Sequence, residues 1–428
     1  MHNLQTFISV LLAVIIILIA SQLFGRLFVV LKQPKVVGEM VCGVLLGPTC
    51  FGYFFPAISG QLFKADIMPF LFVLSNIGLS FYMFIVALEI DFEVFDKKLI
   101  KDSMVLSAAT IIAPFALGIA AAVLYFDDLH GENANLVTFC IFMGTALAIT
   151  AFPMLARILH ENNLTKTRIG SLSLISASIQ DVVSWIFLAF ATAYAKKEGS
   201  EAGIITLVGG VIFILLMFFV IKPLLKYMTA KLKSESEVPQ NYFAFIVIVL
   251  LVCALLTDYI GLYSVFGGFV LGLVIPRKQF IVKGISDKMK DMTVVLLLPL
   301  FFTFSGLNAN LLVMKELNVF IPCIMILLFS FLGKYVISAI VMKGSGFSWR
   351  ESSAIGGMMN ARGLMELVIA NIGLMYGVIT PVLYSILVLM AIISTFAAMP
   401  IYNWSLNPKK TRLKENAGEA IIEKEVVL

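Results

Sequence analysis

The chain has 428 residues, of which 60% are hydrophobic and 13% charged, and its mean hydropathy is +1.01. Soluble domains carry about 25% charged residues, so this composition excludes an ordinary soluble protein. The net charge of +5 does not indicate nucleic-acid binding, because the lysines and arginines follow the connections between apolar stretches. Those stretches recur from end to end and are long enough to cross a bilayer, which predicts an all-α polytopic membrane protein.

In chain order, the apolar stretches predict about thirteen membrane-spanning helices. Their ranges are 5–31, 36–55, 67–89, 100–126, 136–160, 168–195, 203–229, 241–259, 261–276, 286–307, 317–342, 351–376 and 379–403. Residues 1–405 are therefore predicted to form one transmembrane domain. Residues 406–428 are short, polar and charged, and we expect them to form a disordered cytoplasmic tail.

The connections between these helices alternate in positive charge. One set contains only Lys64, Lys196, Lys197 and Lys315, whereas most of the 31 lysines and arginines fall in the other set or in the tail. The basic connections should face the cytoplasm. This predicts an odd number of spans in a cell inner (plasma) membrane, with the N-terminus outside and the C-terminus in the cytoplasm.

The sixth span carries a carboxylate in a long apolar run, in the segment SASIQDVVSW (176–185). Placing Asp181 at that depth costs about 2.5–3.5 kcal/mol on insertion scales, which makes function the default hypothesis. Its neighbour Gln180 offers a carbonyl oxygen, which is a usable ligand for a hard cation. The alternative is an aspartate that is protonated, or paired across a helix interface for packing.

The fifth span is interrupted by the segment Thr150-Ala151-Phe152-Pro153. Proline removes a backbone donor and breaks the helical hydrogen-bond ladder. Unwound carbonyls in discontinuous helices are recurrent cation ligands in transporters. A simple proline kink is the alternative.

The twelfth span contains three glycines together with Asn360, Arg362 and Glu366. Arg362 and Glu366 are spaced i, i+4 and can pair on one helix face. A glycine-interrupted span in each half of a chain indicates an inverted repeat with a binding site at the membrane midplane. The charged pair either holds the helix break or contacts the substrate, and the sequence leaves both open.

Other charged residues lie within or beside the apolar runs. Lys334, in the eleventh span, is the best intramembrane cationic partner for Asp181. Glu39, Glu89 and Asp91 lie near the cytoplasmic boundary, where they either line an entrance or, as the simpler interpretation, are solvated helix ends.

Seven segments within residues 30–400 together resemble the monovalent cation:proton antiporter-2 family, which includes Kef-type potassium efflux systems and plant cation/proton exchangers. They are QPKVVGEMVCGVLLGPT (33–49), IGLSFYMFIVALEID (77–91), AITAFPMLARIL (148–159), SASIQDVVSW (176–185), PLFFTFSGL (299–307), GK (333–334) and NARGLMELVIANIG (360–373). Each segment alone is weakly specific, but the ordered set is highly specific.

The resemblance implies a sodium/proton antiporter-like fold with inverted repeats and two broken, crossing helices, spans five and twelve. It also implies a homodimer, with a dimer domain from spans 1–3 and 8–10 and a core domain from spans 4–6 and 11–13. Asp181 matches the ion-binding aspartate, Gln180 the position before it, and Thr150 the break of span five. Lys334, Arg362 and Glu366 match the basic residue of span eleven and the charged pair of span twelve.

We therefore predict antiport of a monovalent cation against protons at Asp181, with no cofactor other than the transported K⁺ or Na⁺ and H⁺. The Gln–Asp pair resembles Kef-type systems and favours K⁺, and one carboxylate favours electroneutral exchange. A ligand-gated potassium efflux channel that needs a separate cytoplasmic regulatory subunit is the alternative. The sequence shows no nucleophile–base or paired-carboxylate site, so we predict no enzyme.

Overall fold

The computed structural model describes residues 2–89, 97–165, 167–195, 199–232 and 237–406. The regular elements in these ranges are all helical, and an isolated bridge between His130 and Ile379 is the one β pairing among them. The α-helices are α1 (His2–Val30), α2 (Lys35–Leu46), α3 (Phe51–Phe54), α4 (Pro56–Leu62), α5 (Met68–Glu89), α6 (Lys97–Leu124), α7 (Phe126–Leu129), α8 (Leu136–Ala148), α9 (Phe152–Glu161), α10 (Arg168–Ala195), α11 (Gly199–Leu216), α12 (Lys222–Ala230), α13 (Gln240–Ile260), α14 (Ser264–Val274), α15 (Gln279–Met292), α16 (Leu298–Leu307), α17 (Leu317–Phe331), α18 (Ile337–Gly344), α19 (Trp349–Met359), α20 (Leu364–Met375) and α21 (Pro381–Leu406).

Each of the thirteen predicted spans corresponds to one helix or to consecutive helices of this series. Within the described ranges, ten helical segments are long and apolar enough to cross a membrane, and two shorter apolar helices lie at Ser264–Val274 and Met365–Met375. The prediction of an all-α polytopic membrane protein is therefore confirmed. The predicted tail, residues 406–428, lies outside the described residues apart from its first position.

Two of the predicted spans are interrupted in their middle. The fifth span consists of α8 and α9, which are separated by the non-helical residues 149–151, and the twelfth consists of α19 and α20, separated by residues 360–363. Three other spans instead contain a π-helical turn, at Met217–Ile221, Thr293–Leu297 and Leu332–Val336. Such turns widen a helix locally and are frequent at functional positions.

Close packing of glycines brings α2 against α16. A Cβ atom on Gly43 would lie 2.3 Å from the carbonyl oxygen of Phe302, and one on Gly306 would lie 2.1 Å from the carbonyl carbon of Gly43. Only small residues permit backbones to approach this closely, as is common between membrane helices. The glycine-rich second span therefore forms a packing surface for α16.

The interpretation of the cytoplasmic-boundary acids as solvated helix ends is wrong for Glu39. Its side chain on α2 is fully buried and forms a two-pronged ion pair with Arg157 on α9, at 3.2 and 3.3 Å. Arg157 also bonds Glu161 at 3.1 Å. Glu89 does fit the solvated interpretation, because it is half-exposed and paired with Lys290, while Asp91 lies outside the described residues.

Replacing Arg157 with Met should destabilise the protein by about 3 kcal/mol, because it leaves the buried Glu39 carboxylate without its main partner. Replacing Lys290 with Met removes an exposed partner and should cost less than about 1 kcal/mol. The two variants are compared by their unfolding midpoints in detergent. Equal losses of stability would contradict a larger contribution of the buried Glu39–Arg157 pair to the free energy of unfolding.

Candidate functional site

The break between α8 and α9 lies against the middle of α10, where Gln180 and Asp181 are both fully buried. The backbone N–H of Phe152, at the start of α9, donates to Asp181 Oδ1 at 3.3 Å. A carboxylate is favoured there, because a helix N-terminus carries free N–H groups and the positive end of the helix dipole. Asp181 Oδ2 is buried and has no hydrogen-bond partner among the described residues.

Pro153 lies in the first turn of α9. A proline is tolerated there because the first N–H groups of a helix have no intrahelical acceptor. The proline therefore begins a second half-helix after the non-helical residues 149–151, and the simple kink that the sequence left open is excluded. This start gives Phe152 the free N–H that reaches Asp181.

Lys334 lies in the π turn between α17 and α18 and is fully buried. Its ammonium donates to the carbonyl oxygen of Ala148, to Thr150 Oγ1 at 2.7 Å and to Gln180 Oε1 at 2.7 Å. All three acceptors are neutral oxygens. In the described part of the chain no ion pair within 4.0 Å joins Lys334 to Asp181, so the direct pairing expected from the sequence is replaced by a contact with the preceding glutamine.

Arg362 and Glu366 form an ion pair of 2.8 Å inside the protein, both almost completely buried. The arginine also donates to the carbonyl oxygens of Ala146 at 2.9 Å and Leu147 at 2.8 Å. Together with the bond from Lys334 to Ala148, cationic side chains satisfy three consecutive carbonyls at the end of α8. Such carbonyls have no intrahelical donor, and the helix dipole favours positive charge beside them.

The second break is tied to the first by hydrogen bonds. Thr150 Oγ1 donates to the carbonyl oxygen of Met359, the last residue of α19, at 3.0 Å. The backbone of Arg362 exchanges two bonds with the hydroxyl of Thr395 on α21. Gly363 has a φ of +146°, a conformation that is essentially restricted to glycine.

Asn360 is fully buried at the same break. Neither polar atom of its side chain has a hydrogen-bond partner within the described residues. The structure thus brings together Gln180, Thr150 and Lys334 by direct bonds and places Asp181 and Pro153 at the same break, while Asn360, Arg362 and Glu366 belong to the facing break.

Two threonines take part in this arrangement that sequence reasoning did not identify. Thr110 on α6 accepts a hydrogen bond of 2.9 Å from Gln180 Nε2, and Thr395 supports the backbone of Arg362. Thr110 is the last of three hydroxyl residues, after Ser103 and Ser107, on one face of the fourth span. That spacing is the signal in the sequence, but hydroxyls are common in membrane helices and do not reveal their partners.

The arrangement suits the binding of one small cation or one proton at Asp181. Of the two buried acids described at the breaks, Glu366 is paired with Arg362, whereas Asp181 has no cationic side chain within 4.0 Å among the described residues. A helix N-terminus positions its carboxylate. No cluster of three or more His, Cys, Asp or Glu residues that could hold a metal ion occurs among the described residues. A single carboxylate with neighbouring neutral oxygens suits a weakly bound monovalent ion rather than a resident transition metal.

The chain is similar to known transporters along almost its whole length. Residues 10–404 match the family model described as "Sodium/hydrogen exchanger, transmembrane". The chain is 36% identical to the Na(+)/H(+) antiporter NhaS4 of Synechocystis sp. over 93% of the chain and 97% of that protein. It is 34% identical to Cation/H(+) antiporter 19 of Arabidopsis thaliana and 32% identical to K(+)/H(+) antiporter 1 of Saccharomyces cerevisiae, covering 92% and 90% of the chain.

The chain spans about half the length of the plant and yeast relatives, 49% and 45% respectively. Among solved structures, the sodium proton antiporter MjNhaP1 of Methanocaldococcus jannaschii superposes with a TM-score of 0.65 at 17% identity, over 95% of this chain and 99% of that one. At that identity the likeness shows the fold alone, and it confirms the predicted sodium/proton antiporter-like fold.

Replacing Arg362 with Leu should destabilise the protein by about 3–5 kcal/mol, because Glu366 is then a buried charge without its partner. Replacing both Arg362 and Glu366 with Leu should recover part of that loss, since no unpaired charge remains. Thermal unfolding of the purified variants in detergent measures both. A double variant that recovers no stability relative to the single one would show that the loss comes from the carbonyl contacts of Arg362 rather than from the unpaired Glu366 carboxylate.

Proposed function

Since the chain belongs to the sodium/hydrogen exchanger family, we propose that it exchanges a monovalent cation for protons across the membrane by alternating access. The observation that carries the proposal is Asp181 itself. One of its oxygens is held by the N-terminus of α9, and the other is buried without a partner among the described residues. That oxygen is the place for either a proton or a cation.

Competition for one carboxylate is sufficient to couple the two fluxes. Asp181 binds a proton or a monovalent cation but not both. In either case the carboxylate together with its bound ion has no net charge. The empty, charged form crosses rarely because moving an uncompensated charge through a low-dielectric region is costly. Moving the site between the two sides then exchanges one ion for the other.

The surroundings of the site favour an electroneutral exchange of one cation for one proton. Gln180 is neutral, and Arg362 is paired with Glu366. Lys334 is bonded to three neutral oxygens, so its contacts do not require a change of charge when Asp181 exchanges its ligand. Asp181 is therefore the one carrier of exchanged charge in this proposal.

We propose that K⁺ is favoured over Na⁺. A site with one carboxylate and a neutral glutamine has a weaker field than a site with two carboxylates, which suits the larger and more weakly hydrated ion. Relatives of this chain carry names for both ions, Na(+)/H(+) and K(+)/H(+) antiporters. None of the relatives named here supports the gated-channel alternative, since their names are those of antiporters.

The protein is a multi-pass membrane protein, and the proposal places it in the cell inner (plasma) membrane with an outer N-terminus and a cytoplasmic C-terminus. The charge of the connections supports this orientation. A homodimer in the lipid bilayer, built through the first three spans and spans eight to ten, completes the proposal. A separate cytoplasmic regulatory subunit remains compatible with it.

Replacing Asp181 with Asn should abolish cation-dependent proton movement, because the amide cannot exchange a proton for a cation. Proteoliposomes containing a pH-sensitive dye measure the flux after addition of K⁺ or Na⁺. Asp66→Asn is the matched control, since Asp66 is an exposed carboxylate and its loss should leave transport unchanged. Cation-dependent proton flux that persists in a folded Asp181→Asn protein would overturn the assignment.

The apparent KM for K⁺ should rise as the pH falls, by about tenfold per pH unit once the site is mostly protonated, because protons and cations compete for one group. The rate at saturating K⁺ should change much less over the same range. Initial rates at a series of K⁺ concentrations and pH values provide the test. A KM that is independent of pH would rule out competition at a single carboxylate.

A further inference from the structure

A buried hydrogen-bond relay connects α6, α10 and the π turn through three residues. Gln180 Nε2 donates to Thr110 Oγ1 at 2.9 Å, and Lys334 donates to Gln180 Oε1 at 2.7 Å. All three side chains are fully buried. Thr110 lies beyond the residues that bind the transported ions in the proposed function, and among the described residues its hydrogen bond to the site is the one from Gln180.

The direction of every bond in the relay follows from chemistry. A lysine ammonium can only donate, so the glutamine must present its carbonyl oxygen to Lys334 and its NH₂ group to Thr110. The single hydroxyl proton of Thr110 is given to the carbonyl oxygen of Leu106 at 2.6 Å, so its oxygen is free to accept. Reversing the amide would place two donors face to face at Lys334.

The relay also determines which atoms the Lys334 side chain contacts. Lys334 and Asp181 interact electrostatically, yet within the described chain the Lys334 amine bonds only neutral oxygens. Gln180 precedes Asp181 in the chain, so a lysine released from the glutamine has a carboxylate close by. An ion pair between them would occupy the oxygen that the transported cation needs.

We propose that Thr110 is a positioning residue that fixes the Gln180 amide, so that Gln180 keeps Lys334 off the Asp181 carboxylate. This inference rests on the proposed function, because it concerns cation binding at the same site. Without the hydroxyl, the NH₂ group of Gln180 loses its buried acceptor, and the amide is no longer held against α6. Lys334 then competes with the cation for Asp181, which weakens cation binding more than it slows the maximal exchange rate.

Ser107 provides a matched control on the same helix. Its hydroxyl donates to the carbonyl oxygens of Ser103 and Ser176, so it links α6 to α10 as a structural hydroxyl would. Its hydroxyl forms no hydrogen bond to Gln180 or Lys334 in the described structure. A purely structural role for Thr110 therefore predicts similar behaviour of Thr110→Val and Ser107→Ala.

The experiment measures KM for K⁺ and maximal rate of cation-dependent proton flux for full-length wild type, Thr110→Val, Thr110→Ser and Ser107→Ala in proteoliposomes. We expect Thr110→Val to raise KM by about tenfold, the scale of one lost buried hydrogen bond, with a maximal rate within about twofold of wild type. Thr110→Ser should restore the wild-type KM, and Ser107→Ala should leave it unchanged.

A second readout does not depend on transport. K⁺ should stabilise the purified wild-type protein against heat, and the K⁺ concentration that gives half of this stabilisation should be about tenfold higher in Thr110→Val. If that variant does not fold, Thr110→Ala, which also lacks the hydroxyl and is smaller, replaces it in both measurements.

A Thr110→Val protein with the KM and the half-stabilising K⁺ concentration of Ser107→Ala would overturn the positioning role while wild-type exchange remained intact. Wild-type protein without any cation-dependent proton flux would instead reject the proposed function. The two failures are therefore distinguished by the wild-type measurement.

Discussion

The end of α8 is a set of backbone carbonyls inside a membrane, and the rest of the site follows from the need to bond them. A membrane interior offers no water to a broken helix, so unwound backbone is tolerated only where protein groups satisfy it. Here Arg362 donates hydrogen bonds to the carbonyl oxygens of Ala146 and Leu147, and Lys334 donates to that of Ala148. Two buried cations are thus fixed beside the break.

Those two cations explain the distribution of the buried acids. Arg362 is neutralised by Glu366 at 2.8 Å, which makes the twelfth-span pair a unit that holds the break. Lys334 has no carboxylate within 4.0 Å in the described part of the protein, and its other bonds go to Thr150 and Gln180. Asp181 remains as the acid that is free to change its ligand, stabilised at one oxygen by the N-terminus of α9.

Much of this was predictable from the sequence, because a charge or a proline inside an apolar span is conspicuous. Asp181, Lys334, Arg362, Glu366 and Pro153 stand out by that criterion alone. The all-helical fold follows equally directly from the lengths of the apolar runs. The breaks at residues 149–151 and 360–363 are marked by proline and glycine, although the simple-kink alternative for the fifth span required the structure to exclude it.

The pairing of these residues was less accessible, because partners in a bundle are set by packing between distant segments. The sequence predicted that Lys334 faces Asp181, whereas the lysine bonds the neighbouring Gln180. It also predicted a solvated end for Glu39, which the fold buries against Arg157 from a segment 118 residues away. Thr110 was not identified, since one hydroxyl among many in apolar helices carries no distinguishing pattern.

The central claim is that one carboxylate, Asp181, exchanges a proton for a cation. Its most direct test is to count the protons released when the purified protein binds K⁺, using calorimetry in buffers of different ionisation enthalpy at a pH where the site is protonated. The account predicts one proton released per K⁺ bound. Binding of K⁺ with no release of protons would contradict it.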